Sequence, residues 1–530
     1  MIDKPTCRSY IQIEASDHWD KSDTPLRPPW LGRFFYSLLT YNISDMLVPI
    51  FVRERLYIPR APEFEDILDE LRVKFTHKNP NFALLKAMGK WTGNIQPQIR
   101  TWSHVTAKEW GECLSLPRGG TNRVRQVFKH YNVQPRFIDR RLSLPPITYL
   151  TNDVILRPDQ QRLAEVMFRR ENCLIRSPTA SGKTEVALKV VELILKTAGP
   201  VLVLVWETEL MRQWIERTML RFGIREQDVG VLGAGKKRIA PITIGMQQTL
   251  AKQGYRHAHQ FGGLIADEVQ RFAAPTFQKV IDIFPARYRI GVSASETRKD
   301  KKEFLIYDAF GEVADEIEKS QLIDEGKIHD VAIRLVPTDF NYGIDLSSGF
   351  TEWVDLPGAM KNWNDFIDQM DEDEERNDII WSFMEPCFKA GNTCLVITRR
   401  RAAAKYWNDR IHSAGYSSGL LMGGNTTEFR RTVSGLRRRT IQAGIGTIQK
   451  SGVGHDIKQL DRGFIINPLA KNTQLFEQVL GRLRRTCDGK QDALVYYFWD
   501  KLCYPGDRRT ICKTYPNTFV WVDDEFLPAS

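Results

Sequence analysis

The segment SPTASGKTEVALK, residues 177–189, decides how the rest of the chain is read. It follows an apolar run, NCLIRS (172–177), and opens the stretch KTEVALKVVELILK (183–196), in which Ala187, Val190, Val191 and Ile194 recur at helical spacing. A glycine and a lysine at the entry of a helix that follows a strand build an anion site, because backbone N–H groups and the helix N-terminus face the phosphate. Lys183 is then placed for the terminal phosphates, and the Thr184 hydroxyl for Mg2+. One residue departs from the pattern: the position five before Gly182, normally glycine, is Ser177.

Outward from this loop, apolar runs alternate with amphipathic ones. GPVLVLVW (199–206), APITIGM (240–246) and GGLIAD (262–267) read as strands, and TELMRQWIERTMLRFG (208–223) as a helix. Such alternation predicts a parallel α/β sheet. Asp267 and Glu268 close the last of these strands, where a carboxylate pair can hold Mg2+ and orient an attacking water. Beyond Pro337 an acidic connector (340–377) leads to a second alternation: NTCLVIT, AAAKYWNDRIHSAG, AGIGTIQ and RGFIINP. The expected fold class is therefore α/β, with two tandem parallel-sheet domains at 148–336 and 337–530. A smaller α+β accessory domain is expected at 1–147, with a helix in EFEDILDELRVKF (63–75).

Composition narrows the partner. The chain has 530 residues and a net charge of +10, and between Arg72 and Arg141 fourteen Lys/Arg face three acids, a local balance of about +11. A basic domain on an otherwise balanced chain is the footprint of a polyanion. The eight cysteines and nine histidines show no zinc-ligand spacing. No apolar run reaches the ~18 residues of a membrane span, and the first twenty residues carry acids where a signal peptide needs an apolar core. The expectation is a soluble, cytoplasmic monomer with no membrane partner.

Further short motifs follow in a fixed order: LRPDQQ (156–161), VWETELMRQW (205–214), TIGMQQTL (243–250), DEVQ (267–270) and VSAS (292–295). LVITRR (395–400), LLMGGN (420–425), TIQKSGVGHDI (447–457) and QVLGRLRR (478–485) continue the series. Together they resemble the superfamily 2 DNA helicases, in the XPB/UvsW-like branch that includes phage and viral DEAD/DEAH-box-type proteins. The resemblance implies two RecA-like domains that close on ATP and Mg2+. It assigns Arg157, Gln160, Ser181, Gly182, Lys183, Thr184, Asp267, Gly452 and Asp456 to the nucleotide, with Thr184 and Asp267 at Mg2+. Glu268, Gln478, Arg482 and Arg485 take catalytic positions, the two arginines three apart on one helix. Thr208, Gln247, Arg399 and Thr447 fall where nucleic acid is met.

Three residues depart from the common motifs, Gln270 for His or Asp, Ser295 for threonine and Glu296 for proline. The segment LPRGGTNRVRQVFKHYNVQPRFIDRR (116–141) resembles one that precedes the core in UvsW-type helicases. Trp91, Trp102 and Tyr131 read as core residues rather than base-stacking platforms. The expected function is an ATP-dependent helicase or translocase acting on duplex or branched DNA in repair, recombination or replication. The alternative is an ATP-switched nucleic-acid clamp or an RNA helicase.

Overall fold

The computed structural model describes residues 47–272, 280–295, 298, 300–340, 363–422, 427–447, 457–469, 473–501, 503 and 505–529. The phosphate-loop strand Asn172–Arg176 lies in an eight-stranded sheet. Its order is Lys236–Arg238, Gly230–Gly233, Ile242–Met246, Val201–Val205, Gly263–Asp267, Tyr288–Ser293, Asn172–Arg176, Val313–Glu316. All neighbours pair in parallel except the Lys236–Arg238 hairpin arm. Val201–Val205 and Gly263–Asp267 are buried throughout, which is why both read as unbroken apolar runs. Parallel pairing brings the carboxyl ends of these strands to one edge, where ligands of open α/β sheets bind.

A second eight-stranded sheet has the order Ser418–Leu420, Ala443–Thr447, Cys394–Thr398, Arg462–Ile465, Leu494–Asp500, Ala332–Thr338, Thr518–Val522, Glu525–Pro528. All but the last strand are parallel. The chain thus has the expected tandem RecA-like arrangement. The expected boundary at 336/337 needs correction, because Ala332–Thr338 is a single strand paired between Leu494–Asp500 and Thr518–Val522. Nothing in its composition marks the crossing, since a buried strand looks alike in either domain. The acidic connector also ends in regular structure, the helices Trp363–Glu372 and Glu374–Lys389. Phe366, Ile367 and Met370 of the first bury against Phe340 and Cys503, while Asp365 and Asp368 face outward.

The accessory domain is α+β. Its five-stranded sheet runs Ser103–Ala107, Gly111–Pro117, Arg55–Pro59, Leu47–Val52, Gln134–Asp139. Helices Glu65–Lys74 and Thr121–His130 bury Leu68, Leu71, Val124 and Phe128 against it. Its basic stretch is not uniformly available to a polyanion. Arg118 is 2% exposed and crosses to the first α/β domain: Nε donates to Asn172 Oδ1 at 2.8 Å and Nη1 to the Ala286 carbonyl at 2.7 Å. Its Nη2 donates to the Arg287 carbonyl at 3.2 Å. Arg123 pairs with Asp308, and Arg141 with Asp139 and Glu171. Arg72 is held inside its own domain by Glu65 and Asp69. In return, the buried Arg289 of strand Tyr288–Ser293 donates to the Glu54 carbonyl at 2.7 Å, and Arg55 pairs with Asp282. Four of the fourteen counted cations therefore hold protein together, and ten remain exposed.

Arg118→Ala removes a buried fork and strands three carbonyls, a loss of about 3 kcal/mol. A lower melting temperature and protease release of the accessory domain are expected, with Arg118→Lys a poor substitute because it lacks the fork. Unchanged melting of Arg118→Ala would refute the clamp.

Candidate nucleotide and nucleic-acid site

The phosphate loop is explained by where its backbone turns. Ala180 and Gly182 carry the left-handed conformations, with φ of 72° and 85°, whereas Ser177 does not. A glycine is therefore not required at 177. The Ser177 hydroxyl instead meets the Ser181 hydroxyl at 2.6 Å, both residues being 1% exposed, and Ser177 N donates to the Ser293 carbonyl at 2.8 Å. At Gly182 a Cβ would lie 2.4 Å from Gln160 Nε2, so the close approach demands glycine.

Gln160 and Arg157 brace this loop from the helix Pro158–Arg170. Gln160 Oε1 accepts from Arg157 N at 3.0 Å and Nε2 donates to the Ser181 carbonyl at 2.9 Å. Arg157 Nη2 donates to the same carbonyl at 3.0 Å and to Asp159 at 2.9 Å. Asp159 in turn takes Lys327 at 3.3 Å.

At the carboxyl edge of the first sheet, Lys183 pairs with Glu268. Glu268 has φ 53° and accepts from Gln270 Nε2 at 2.5 Å; Gln270 Oε1 accepts from the Ser293 hydroxyl at 2.5 Å. Gln270 thus joins the acidic box to the Ser293–Ser295 segment through an uncharged amide. Burial pushes the Glu268 carboxyl up, but Lys183 and the Gln270 amide outweigh it and hold the group below its ordinary value. For Asp267 burial wins and the carboxyl is raised, against the pull of Lys183. Burial alone would lower the Lys183 ammonium; Glu268 and Asp267 keep it raised.

Asp267 is further fixed by a residue that the motif reading passed over. Trp214, 1% exposed on the helix Thr208–Phe222, donates its indole N–H to Asp267 Oδ2 at 2.9 Å. Asp267 Oδ1 stays buried without a hydrogen-bond partner among the described residues. An unpartnered carboxylate oxygen beside Lys183 and Thr184 suits a hard divalent cation.

The second domain completes a cleft of about 150 Å³ lined by Lys183, Thr184, Asp267, Glu268, Gln478 and Arg482, together with Arg485. This is smaller than the ~300–1,000 Å³ of ordinary small-molecule sites. The helix Thr473–Leu483 approaches so closely that a Cβ on Gly481 would stand 2.2 Å from Thr179 Oγ1. Gly481 therefore sets the distance between the domains. Arg482 lies on this helix, but Arg485 lies beyond its end, in a bridge with Ile328. The two arginines do not share one helix face, yet both line the cleft. Arg484, between them, turns back to Glu477 at 2.6 Å.

Of the expected nucleic-acid residues, Thr208 starts its helix and is exposed, whereas Gln247 starts the helix Gln247–Gln253 but is 2% exposed. Arg399 directs its guanidinium to the Pro468 carbonyl, with Nη2 at 2.8 Å. Thr447 ends the strand Ala443–Thr447. All four stand at carboxyl edges of the two sheets. Gly452 and Asp456 lie outside the described residues, as do Gly454 and Glu296.

Comparison with known proteins agrees with these motifs. Residues 153–298 match the family model described as type III restriction enzyme, res subunit. The chain is 25% identical over 332 residues to "Probable helicase D10" of Escherichia phage T5, covering 61% of this chain and 67% of that protein. It is 30% identical over 204 residues to "Putative DNA 3'-5' helicase Rad25" of Halobacterium salinarum, covering 37% of this chain and 33% of that one. The chain thus spans two thirds of the phage protein and one third of the archaeal one. The crystal structure of T4 UvsW aligns with 86% of this chain and 90% of its own at 16% identity, with a TM-score of 0.40.

Gln160→Glu sets a carboxylate oxygen against the Ser181 carbonyl in place of a donor. The lost bond is worth ~1–3 kcal/mol. Amide exchange in the loop 178–183 should quicken by about tenfold or more while the sheet strands keep their protection. Unchanged exchange there would mean that Gln160 does not brace the loop.

Proposed function

With a superfamily 2 helicase of the XPB/UvsW-like branch as the premise, we propose that the chain is an ATP-dependent translocase or helicase acting on duplex or branched DNA. The observation that carries this reading is the single cleft shared by Lys183, Asp267 and Glu268 of one domain and Gln478, Arg482 and Arg485 of the other. Phosphoryl transfer to water needs positioning and charge stabilisation more than covalent help, and a group entering from a second domain supplies both only on closure.

In this reading Ser181, Gly182 and Lys183 cradle the ATP phosphates, and Lys183 leaves Glu268 to meet them. Glu268, released from Lys183 but still hydrogen-bonded by the Gln270 amide, orients the attacking water. Thr184 and Asp267 Oδ1 hold Mg2+, which neutralises phosphate charge when bound. Arg482 and Arg485 meet the developing negative charge, and Gln478 closes the cleft beside them. Arg157 and Gln160 act mainly by fixing the loop from the side where adenine is expected. Gly452 and Asp456 keep the roles that the motif resemblance implies. Nucleic acid crosses the carboxyl edges of both sheets past Thr208, Arg399 and Thr447, with phosphate contacts that need no base readout, while the buried Gln247 supports that edge from beneath. Roles in repair, recombination or replication follow from the branch and belong to the proposal.

Lys183→Ala and Glu268→Gln separate binding from turnover. The first should lose ATP affinity and hydrolysis; the second should keep ATP bound and lower turnover by about 10²-fold or more. Wild-type turnover in either removes the site assignment. Strand displacement measured alongside hydrolysis decides between a motor and a switched clamp: a clamp hydrolyses slowly and displaces nothing.

Trp214→Phe keeps the ring and removes the donor to Asp267. Half-maximal hydrolysis should need about tenfold more Mg2+, with the rate at saturating Mg2+ changed much less. An unchanged Mg2+ dependence would reduce Trp214 to a packing residue.

A further inference from the structure

Between Val73 and Lys108 the chain has no Asp or Glu. The structure turns this stretch into an arm. Strands Thr76–Lys78 and Gln98–Arg100 pair antiparallel as a stem, with Thr76 opposite Arg100 and Lys78 opposite Gln98. Asn79 locks the top of the stem: its N donates to the Pro97 carbonyl and its Nδ2 to the Gln96 carbonyl, both at 2.9 Å. Asn79 Oδ1 also caps the helix Pro80–Ala87 by accepting from Asn81 N at 3.2 Å. No residue of that helix is buried. A helix that hides nothing has no packing reason to exist within its own domain.

What the arm displays is apolar. Leu84 is 60% exposed, Met88 54%, Trp91 89% and Ile95 37%. Of the eleven large apolar side chains exposed among the described residues, these four fall within twelve consecutive positions. The expectation that Trp91 is a core residue is thereby corrected, whereas Trp102 and Tyr131 do pack against the accessory core. Gly93, with φ 56°, folds the chain so that the Trp91 ring lies 3.4 Å from where its Cβ would be. Lys78, Lys86, Lys90 and Arg100 lie on the same arm, all exposed. Among the described residues none of the four enters an ion pair with a carboxylate. At the root, His77 stacks on Phe304 at 4.0 Å and meets Asp308 at 3.3 Å. The arm is therefore carried by the first α/β domain.

Resting on the proposed action on DNA, we propose that the arm 76–100 is a junction-binding wedge. Trp91, with Met88 and Leu84 beside it, stacks on the base face exposed where duplex meets single strand. Lys78, Lys86, Lys90 and Arg100 take the flanking phosphates. Charge decides for this occupant over a protein surface, since an arm with four exposed cations, no acid and an exposed aromatic ring matches a polyanion that offers π-faces.

The test uses the full chain without nucleotide and reads binding to a forked DNA and to a blunt duplex of the same length. Base–aromatic stacking is worth ~1–3 kcal/mol per base, so Trp91→Ala should weaken fork binding about tenfold and leave blunt-duplex binding within about twofold. Trp91→Phe should retain most of the fork preference. A 2-aminopurine at the junction should be quenched by the wild type and not by Trp91→Ala. Equal fork binding by Trp91→Ala and the wild type overturns the proposal and leaves the apolar face to a protein partner. Equal loss on fork and duplex also overturns it, because the arm would then be a general contact. Because no ATP is present, a chain that prefers forks through Trp91 but never hydrolyses ATP sinks the functional reading alone.

Discussion

One half-buried lysine, set against the half-buried Glu268 and the buried Asp267, governs the site. Lys183 is more than 80 residues from the adjacent pair Asp267 and Glu268, yet parallel strand order delivers all three to one edge. Shielding such charges from water is costly unless they are paired, and here the pairing is incomplete. Lys183 satisfies Glu268, Trp214 satisfies one oxygen of Asp267, and the other oxygen has no hydrogen-bond partner among the described residues. The cluster is short of one positive charge. In the proposed reading a divalent cation would supply it, and Lys183 would turn from Glu268 to the phosphates.

The rest of the molecule holds this cluster from both ends. Strands Asn172–Arg176 and Tyr288–Ser293 carry the loop and the Ser293–Gln270–Glu268 chain at their carboxyl ends. Near their amino ends, Arg118 grips Asn172 and Arg289 grips the accessory domain. The accessory domain is therefore part of the frame of the first α/β domain. Across the cleft, the contact of Gly481 with Thr179 allows the second domain no side chain at its nearest point.

The sequence carried much of this and missed identifiable parts. Strands and helices around the phosphate loop were legible because fully buried parallel strands are long apolar runs and their helices keep a 3.6-residue period. The phosphate and carboxylate residues were legible because their motifs are local. The strand Ala332–Thr338 was not, since its partners Leu494–Asp500 and Thr518–Val522 are more than 150 residues away. The roles of Arg118 and Trp214 were hidden for the same reason, each acting on a residue distant in sequence. Charge counting could not separate Arg118, Arg123 and Arg141, which bind protein, from the exposed cations of the arm. Trp91 was misread because an exposed tryptophan and a buried one are the same letter. A helical stretch with neither an apolar stripe nor an acid was the available clue.

The central claim is that nucleotide and nucleic acid together close the two RecA-like domains over Lys183 and Glu268. The most direct measurement is the distance between spin labels on exposed positions of the helices Thr208–Phe222 and Thr427–Arg437, which line a second pocket between the domains, beside the cleft. The account predicts one broad distance distribution for the free chain. A single shorter distance should appear when a non-hydrolysable ATP analogue, Mg2+ and DNA are all present, and Lys183→Ala should abolish it. A distribution that stays the same under all these conditions would contradict the account.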